Sequence, residues 1–456
     1  MNRRHYIVFI LISIVSIVVY FPTFGNDFQY FWDDQWQVMN DYTSGGLGWQ
    51  NLSDIFTRFD HGQYSPVNQL MYTLLYSAFA YLPAPYHCMS LLFHILNACL
   101  IYFIITKLLQ KNRINENINV YVIAIATSLL FAIHPINVET VAWISASKIP
   151  TCTFFLLLGL YTYILYINSD RAKYFFLTIL FFVLSFGCKE QVVIFPLNLL
   201  LIDWFLHRDL RSEQVWGEKI LFFVLSICMG IVTMMAQGLS SGTSDYPFWQ
   251  RLLLSCYAIF EYITKTLLPI HLNFFYPYPM RAGDSVPLRF WFFPFLLVAA
   301  SCLVVIYRKN RLVVFALLLF LINLFLFLNI IPLGRDAMIA DRYLYLSEVG
   351  LFLILSYLLN LLYLSWKSSK VKRYLFCSLV PIYLLYLGGY TYYYTSLWKE
   401  SDITKQYMKG IIKEELEKAR EKAAKVKALE EAGEVKTEDV AVDAETTMEE
   451  AKTAEE

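Results

Sequence analysis

Residues 312–331 read LVVFALLLFLINLFLFLNII, and residues 6–21 read YIVFILISIVSIVVYF. Each is an almost unbroken apolar run, close to the roughly 20 residues that an α-helix needs to cross a hydrocarbon core. Runs of this kind recur along the chain, so they are read as spanning helices and not as core strands. Composition agrees: of 456 residues 57% are hydrophobic, 17% aromatic and only 16% charged. That leaves too little polar surface to clothe a soluble globule. The expected fold class is an all-α polytopic membrane protein.

Loop charges suggest how the runs are threaded. Basic clusters fall in MNRRH, in KLLQKNR (107–113), SDRAK (169–173), LHRDLRSE (206–213), YRKNR (307–311) and WKSSKVKR (366–373). Placing them all on the cytoplasmic side satisfies the positive-inside rule with eleven spans, near 5–22, 86–108, 119–134, 150–168, 173–187, 190–206, 219–238, 288–307, 311–331, 343–366 and 373–395. The N-terminus is then inside, its first helix a retained anchor, and the C-terminal tail is outside. The long polar loops 23–85 and 239–287, the first and fourth on the outer side, share that face. Each contains one apolar stretch, 69–82 and 249–268, expected to lie in the interface or re-enter the bundle.

Domain organisation follows: a membrane domain over 1–398, then a tail over 399–456 that starts as a charged helix and ends Ala/Glu/Thr-rich and disordered. Such a tail is expected to be dispensable. The formal net charge of zero gives no reason to expect a nucleic-acid partner. Cysteines lie mainly within apolar runs and lack CxxC or CxxH spacing, so neither a disulfide framework nor a zinc site is expected.

Four outer segments carry groups capable of chemistry. FQYFWDDQWQVMND sets Asp33 beside Asp34 among aromatic residues; paired carboxylates there suit a general base, a hard-cation site for Mg or Mn, or simply a solvated turn. In LLFAIHPINVETVAWISASKIP, Pro135 stops a helix at His134, and Glu139 follows. FGCKEQ brings Lys189 and Glu190 to the interface in a short turn. NIIPLGRDAMIADRYLYLSEVG holds Arg335, Asp336, Asp341 and Arg342. Arginines on an outer loop run against the positive-inside bias, and a guanidinium fork matches a phosphate. Pairing among these acids and bases accounts for them equally well at this stage. Within the spans, His94 and Asn97 share a helical face and are expected to bond between helices.

In chain order, WDD (32–34), SPVNQLMYTLLY (65–76), FHILNACLIY (93–102), LLFAIHPINVETVAWISASK (129–148), Lys189–Glu190 followed by PLNLLLIDWF (196–205), and ADRYLYLSEVGLFLIL (340–355) resemble the GT-C glycosyltransferase superfamily. More narrowly, they are similar to the membrane part of protein O-mannosyltransferase-like proteins that carry tetratricopeptide repeats. The resemblance spans roughly residues 5–400. It implies a polyprenyl- or dolichyl-phosphate sugar donor, mannose before other sugars, with a protein Ser/Thr or glycan hydroxyl as acceptor. Asp33 would be the base with Asp34 its partner, either alone or through a divalent cation. Charge and side suggest Arg342 and Lys189 for the donor phosphate. Two departures stand out: Ser65 replaces an arginine that relatives tend to have before the proline, and the acidic tail stands where repeats would follow. A bacterial inner membrane is the expected location. The rival classes are a lipid-linked sugar flippase, which would need charge along a midplane pathway, and a non-catalytic assembly protein.

Overall fold

Apolar runs become helices in a bilayer because only an internally hydrogen-bonded backbone tolerates hydrocarbon, and local residues set where each one starts and stops. The computed structural model describes residues 3–112, 118–237, 246–276, 278, 280, 286–306, 309–331, 337–411 and 413. Arg335, Asp336 and the tail beyond 413 lie outside the described residues. In chain order the helices are α1 (Arg3–Val19), α2 (Asp41–Ser44), α3 (Trp49–Thr57), α4 (Pro66–Phe79), α5 (Pro83–Lys111), α6 (Val120–Ile133), α7 (Val138–Ala142) and α8 (Lys148–Ser169). They continue with α9 (Ala172–Phe186), α10 (Phe195–Phe205), α11 (Glu213–Gln237), α12 (Phe248–Leu267), α13 (Phe292–Ile306), α14 (Arg311–Leu324), α15 (Glu348–Trp366) and α16 (Lys370–Ser396). Among the described residues, β-structure is limited to two isolated bridges, Asp60 with Gln63 and Tyr276 with Ile339.

The boundaries have identifiable causes. Asn119 caps α6 by accepting from the Tyr121 and Val122 amides, and Asn310 caps α14 by accepting from Val313. Proline opens α4 and α5, where its missing N–H would have had no partner anyway. Asp170, in the left-handed region at φ 49°, ends α8. Pro135 breaks the run after His134, so that Val120–Ile133 and Pro135–Ala142 meet at 50°.

Among the described residues, five helical stretches are long and apolar enough to cross a membrane: α5, residues 144–169, α11, α15 and α16; the bent pair would make a sixth. This is a multi-pass membrane protein. The eleven expected spans each coincide with a helix, but several are shorter than a span requires. The helix α9 has 15 residues, and α10 has only 11 because residues 190–194 turn as a tighter helix before Pro196. The expected interfacial stretches are helical as well, as α4 and α12.

Packing uses the helical period. Val8, Ile12, Ser16 and Val19 form the buried stripe of α1, which meets α5, α6 and α16. His94 bonds through Nδ1 to the Tyr345 hydroxyl at 2.8 Å. Asn97 donates to the Pro150 carbonyl at 2.9 Å and to Tyr345 at 3.2 Å, tying α5 to α8 and to the approach to α15. Asn198 and Asn323 exchange amide bonds at 3.1 Å between α10 and α14. At Gly350 a Cβ would lie 2.2 Å from the Ala316 carbonyl oxygen, so this close α14–α15 approach requires glycine. Ile220, Ile227, Ile231 and Met234 on α11, and Leu379, Ile382 and Leu385 on α16, point outward, as suits hydrocarbon.

The bundle has two chemically different ends. At one, Lys111 donates to Asn168, Asn112 donates to the Phe205 carbonyl, and Arg208, Asp203, Glu218 and Lys219 form a buried ion cluster around Tyr163. At the other, the first long loop, the break after α6, the turn after α9 and the loop before α15 converge.

Candidate active site

The first loop reaches the site along a template. After a tight turn at Phe21–Gly25, the Asn26 side chain donates to the Thr395 carbonyl at 3.1 Å, the Asp27 amide to the Lys399 carbonyl at 2.7 Å, and the Gln29 side chain to the Trp398 carbonyl at 2.9 Å. The Tyr30 amide then donates to Ser401 Oγ at 3.0 Å, and the Lys405 ammonium lies 4.6 Å from the centre of the Phe31 ring. Residues 401–411 are helical. The stretch leading to the two aspartates is thus laid along the end of α16 and the segment after it.

A π-helical turn, Asp34–Val38, follows, and the two aspartates part company on it. Asp34 is fully buried: its carboxylate accepts from the Gln29 amide at 2.7 Å, the Ser145 amide at 2.8 Å and the Ser145 hydroxyl. Burial pushes its pKa up to about 6, against the pull of those bonds. Its oxygens are committed to fastening the turn to residues 143–147. Asp33, one position earlier, lines a cavity of about 180 Å³.

That cavity collects groups from six segments: Asp33 and Gln37; Gly62, Gln63 and Tyr64; Trp143 to Ile149, including Lys148; Lys189 and Glu190; Thr233 and Gln237 of α11; and Arg342 with Tyr343. Of the expected site residues, Asp33, Lys189, Glu190 and Arg342 come together here. Glu139 stands behind them, fully buried, accepting from the Arg342 amide at 2.8 Å and from the Arg342 guanidinium. The guanidinium also lies 5.4 Å from the Trp143 ring centre and 4.9 Å from that of Tyr343. Arg342 is therefore held beside two aromatic rings by a buried carboxylate.

Other expected residues lie elsewhere. His134 is buried, with Nε2 bonded to the Thr266 carbonyl at 3.0 Å and Nδ1 accepting from the Ile136 amide, which makes it a packing residue of the helix break. Asp341 is buried and accepts from the Tyr276 hydroxyl at 2.9 Å; burial lifts its carboxyl well above the usual range. Ser65 lines a small adjoining cleft with Arg58 and Asp60. Lys148, not among the expected site residues, lines the main cavity with its ammonium on Gln37 Oε1 at 3.1 Å and Gln63 Oε1 at 2.9 Å.

A hard cation fits this donor set poorly. Asp34 faces away with its oxygens engaged, the cavity acids Asp33 and Glu190 share their space with three cationic side chains, and among the described residues no three His, Cys, Asp or Glu gather to hold a metal. The paired-carboxylate metal site expected from Asp33 and Asp34 does not suit the geometry, because adjacent residues of a helical turn diverge.

Beneath the polar cavity the lining turns apolar. Ile149, Arg342 and Tyr343 also border a narrow space reaching Asn323 and Leu346, and those two residues border an apolar cavity of about 40 Å³ among α5, α8, α10, α14 and α15. A charged chamber therefore adjoins a chain of smaller, greasy spaces running into the bundle.

No protein-family model matches the sequence. Over 239 residues, 50% of the chain, it is 29% identical to Protein O-mannosyl-transferase F38B6.6 of Caenorhabditis elegans, and the match takes in 32% of that protein. The chain thus spans about a third of the length of this curated relative. The crystal structure of ArnT from Cupriavidus metallidurans bound to undecaprenyl phosphate aligns with 93% of this chain and 81% of that chain, at 10% identity and a TM-score of 0.41.

Proposed function

We propose that the protein is a membrane glycosyltransferase that moves a sugar, mannose in the first instance, from a polyprenyl or dolichyl phosphate to a hydroxyl acceptor. The observation that carries this reading is that Asp33 lines one cavity with Lys189 and Arg342, and that this cavity adjoins apolar space. A lipid-linked phosphosugar has the same polarity, an anionic head on a hydrocarbon tail. The similarity of half the chain to a protein O-mannosyl-transferase supports the sugar and the transfer, and favours a protein Ser or Thr as acceptor.

In the mechanism, the acceptor hydroxyl gives its proton to the Asp33 carboxylate as its oxygen attacks the anomeric carbon. The bond from that carbon to the phosphate oxygen breaks, and the electron pair stays on the phosphate, which remains on the lipid. Arg342 and Lys189, cations already in place before the charge develops, offset the charge that gathers there. One displacement inverts the anomeric centre. The charge pattern of the loops supports a site on the non-cytoplasmic side; a bacterial inner membrane is the location proposed first, with the endoplasmic reticulum its eukaryotic counterpart.

The test uses the full chain in detergent with polyprenyl phosphomannose and a Ser/Thr-containing acceptor peptide. Wild type is expected to transfer mannose with inversion. Asp33→Asn is expected to lower kcat at least a thousandfold while binding the donor normally. Normal turnover by Asp33→Asn would remove the assignment. In vesicles, lipid translocation without transfer would point to a flippase, and neither activity to an assembly role.

A further inference from the structure

Among the described residues three cationic side chains, Lys148, Lys189 and Arg342, line the cavity, and the partners of Arg342 and Lys148 differ in kind. The Arg342 guanidinium is engaged by the buried Glu139 carboxylate, so much of its charge is offset before a ligand arrives. Lys148, the first residue of α8, is held otherwise: its ammonium donates to two side-chain amide oxygens, Gln37 at 3.1 Å and Gln63 at 2.9 Å. Amides position a cation without cancelling its charge, and of the charges that reach it from the cavity wall Glu190 and Asp33 favour the ammonium while Lys189 and Arg342 oppose it. An ammonium has three donors, and phosphate oxygens accept charge-assisted bonds about twice as strong as those to neutral acceptors.

The placement of this ammonium is built into the carboxylate turn. Asp34 accepts from the Ser145 amide and hydroxyl, and the Ser145 carbonyl accepts from Gln37 Nε2 at 3.1 Å. That bond turns the Gln37 oxygen towards Lys148. The turn that presents Asp33 to the cavity therefore also aims the ammonium, through a relay of Asp34, Ser145 and Gln37. Gln63 comes from the opposite wall, beside Gly62 at φ 73°.

We infer that Lys148 is the residue that grips the donor phosphate, with Gln37 and Gln63 as placeholder ligands whose bonds the phosphate oxygens take over. This rests on the reading of the donor as a polyprenyl phosphosugar. Arg342, fixed beside Trp143 and Tyr343 by Glu139, and Lys189 then act on the charge that develops as the sugar leaves, while Lys148 makes the binding contact. Because the phosphate leaves with the lipid, the same contact serves substrate and lipid product. The site should then discriminate a polyprenyl phosphate from the corresponding alcohol chiefly through Lys148.

The experiment measures binding of undecaprenyl phosphate and of undecaprenol to the full chain in detergent. Wild type is expected to prefer the phosphate at least tenfold. Lys148→Gln is expected to lose that preference and Lys148→Arg to keep most of it, with undecaprenol affinity unchanged in both. Gln63→Glu sets a carboxylate against the ammonium and leaves Lys148 in place, so it reports even where Lys148→Gln folds badly; it too should cut the preference at least tenfold. If Gln63→Glu and a folded Lys148→Gln both retain the wild-type preference, the assignment to Lys148 is overturned while the donor reading stands. A wild-type protein that binds the two lipids equally overturns both.

Discussion

The buried carboxylate of Asp34 makes a quantitative prediction. Its pKa is pushed from the ordinary 3.8 to about 6 because burial disfavours the anion more than three hydrogen bonds favour it. Between those values the folded protein binds more protons than the unfolded chain, so stability falls as pH rises through the interval. The stabilisation is fully present below about pH 4 and gone above about pH 6. At 1.36 kcal/mol per pH unit the loss is about 3 kcal/mol. Asp34→Asn has no such titration. Asparagine still accepts from Ser145, but its amide nitrogen meets the Gln29 N–H donor to donor, which costs about 1–3 kcal/mol at every pH. Wild type should therefore be the more stable form at pH 4 by that amount, and the advantage should vanish or reverse by pH 7.5. The assay is unfolding of the detergent-solubilised chain by a graded denaturing detergent from pH 4 to 8, taken as the difference between variant and wild type, so that remote titrating groups cancel. A difference constant to within about 0.5 kcal/mol across that range would refute the reasoning; one that grew in favour of wild type with rising pH would mean that the site prefers the anion.

At the opposite end of the bundle, Lys219→Met should destabilise the protein by about 3–5 kcal/mol, because Asp203 and Glu218 would keep, among the described residues, Arg208 alone as a counter-charge; donor KM in the transfer assay should not move. A stop after Trp398 removes Ser401 and Lys405 from the first loop and is expected to lower transfer at least tenfold, whereas a stop after residue 413 should leave it near wild type in the same assay.

Much of the architecture could be read from residues alone, for reasons that are themselves physical. Asn119, Pro135 and the clusters around Lys111 and Arg208 mark where helices start, stop or reach polar surroundings, and α6, α8 and α11 fall close to the expected positions. Span length was less legible. Hydropathy registers the apolar run 190–206 but not that Pro196 and the turn at Lys189 and Glu190 shorten its helix to 11 residues. The site was legible as a set of segments more than as a set of roles. Asp33 and Asp34 look equivalent in the string WDD, yet successive residues of a helical turn point roughly 100° apart. One faces the cavity, and the other is consumed in holding the turn. His134 and Asp341 carry the same chemistry as active groups but are turned into the packing. Lys148 carries the same signal as Arg342, a cation on an outer segment where the charge rule disfavours one, but at the edge of a long apolar run it reads as a helix end. Gln37 and Gln63 had no signal, since neutral amides acquire meaning only from what they touch.

The seam between residues 26–31 and 395–405 joins Tyr30 to Ser401, 371 positions away in sequence. During synthesis the first loop emerges hundreds of residues before the strip on which it is laid. Until residues 395–405 have been made and delivered to the same side, the backbone leading to Asp33 lacks this template. The reactive chamber is therefore among the last features to assemble, after the helices around it have packed. A nascent chain displays its acidic pair without the geometry to use it, and the protein becomes competent in a single late step.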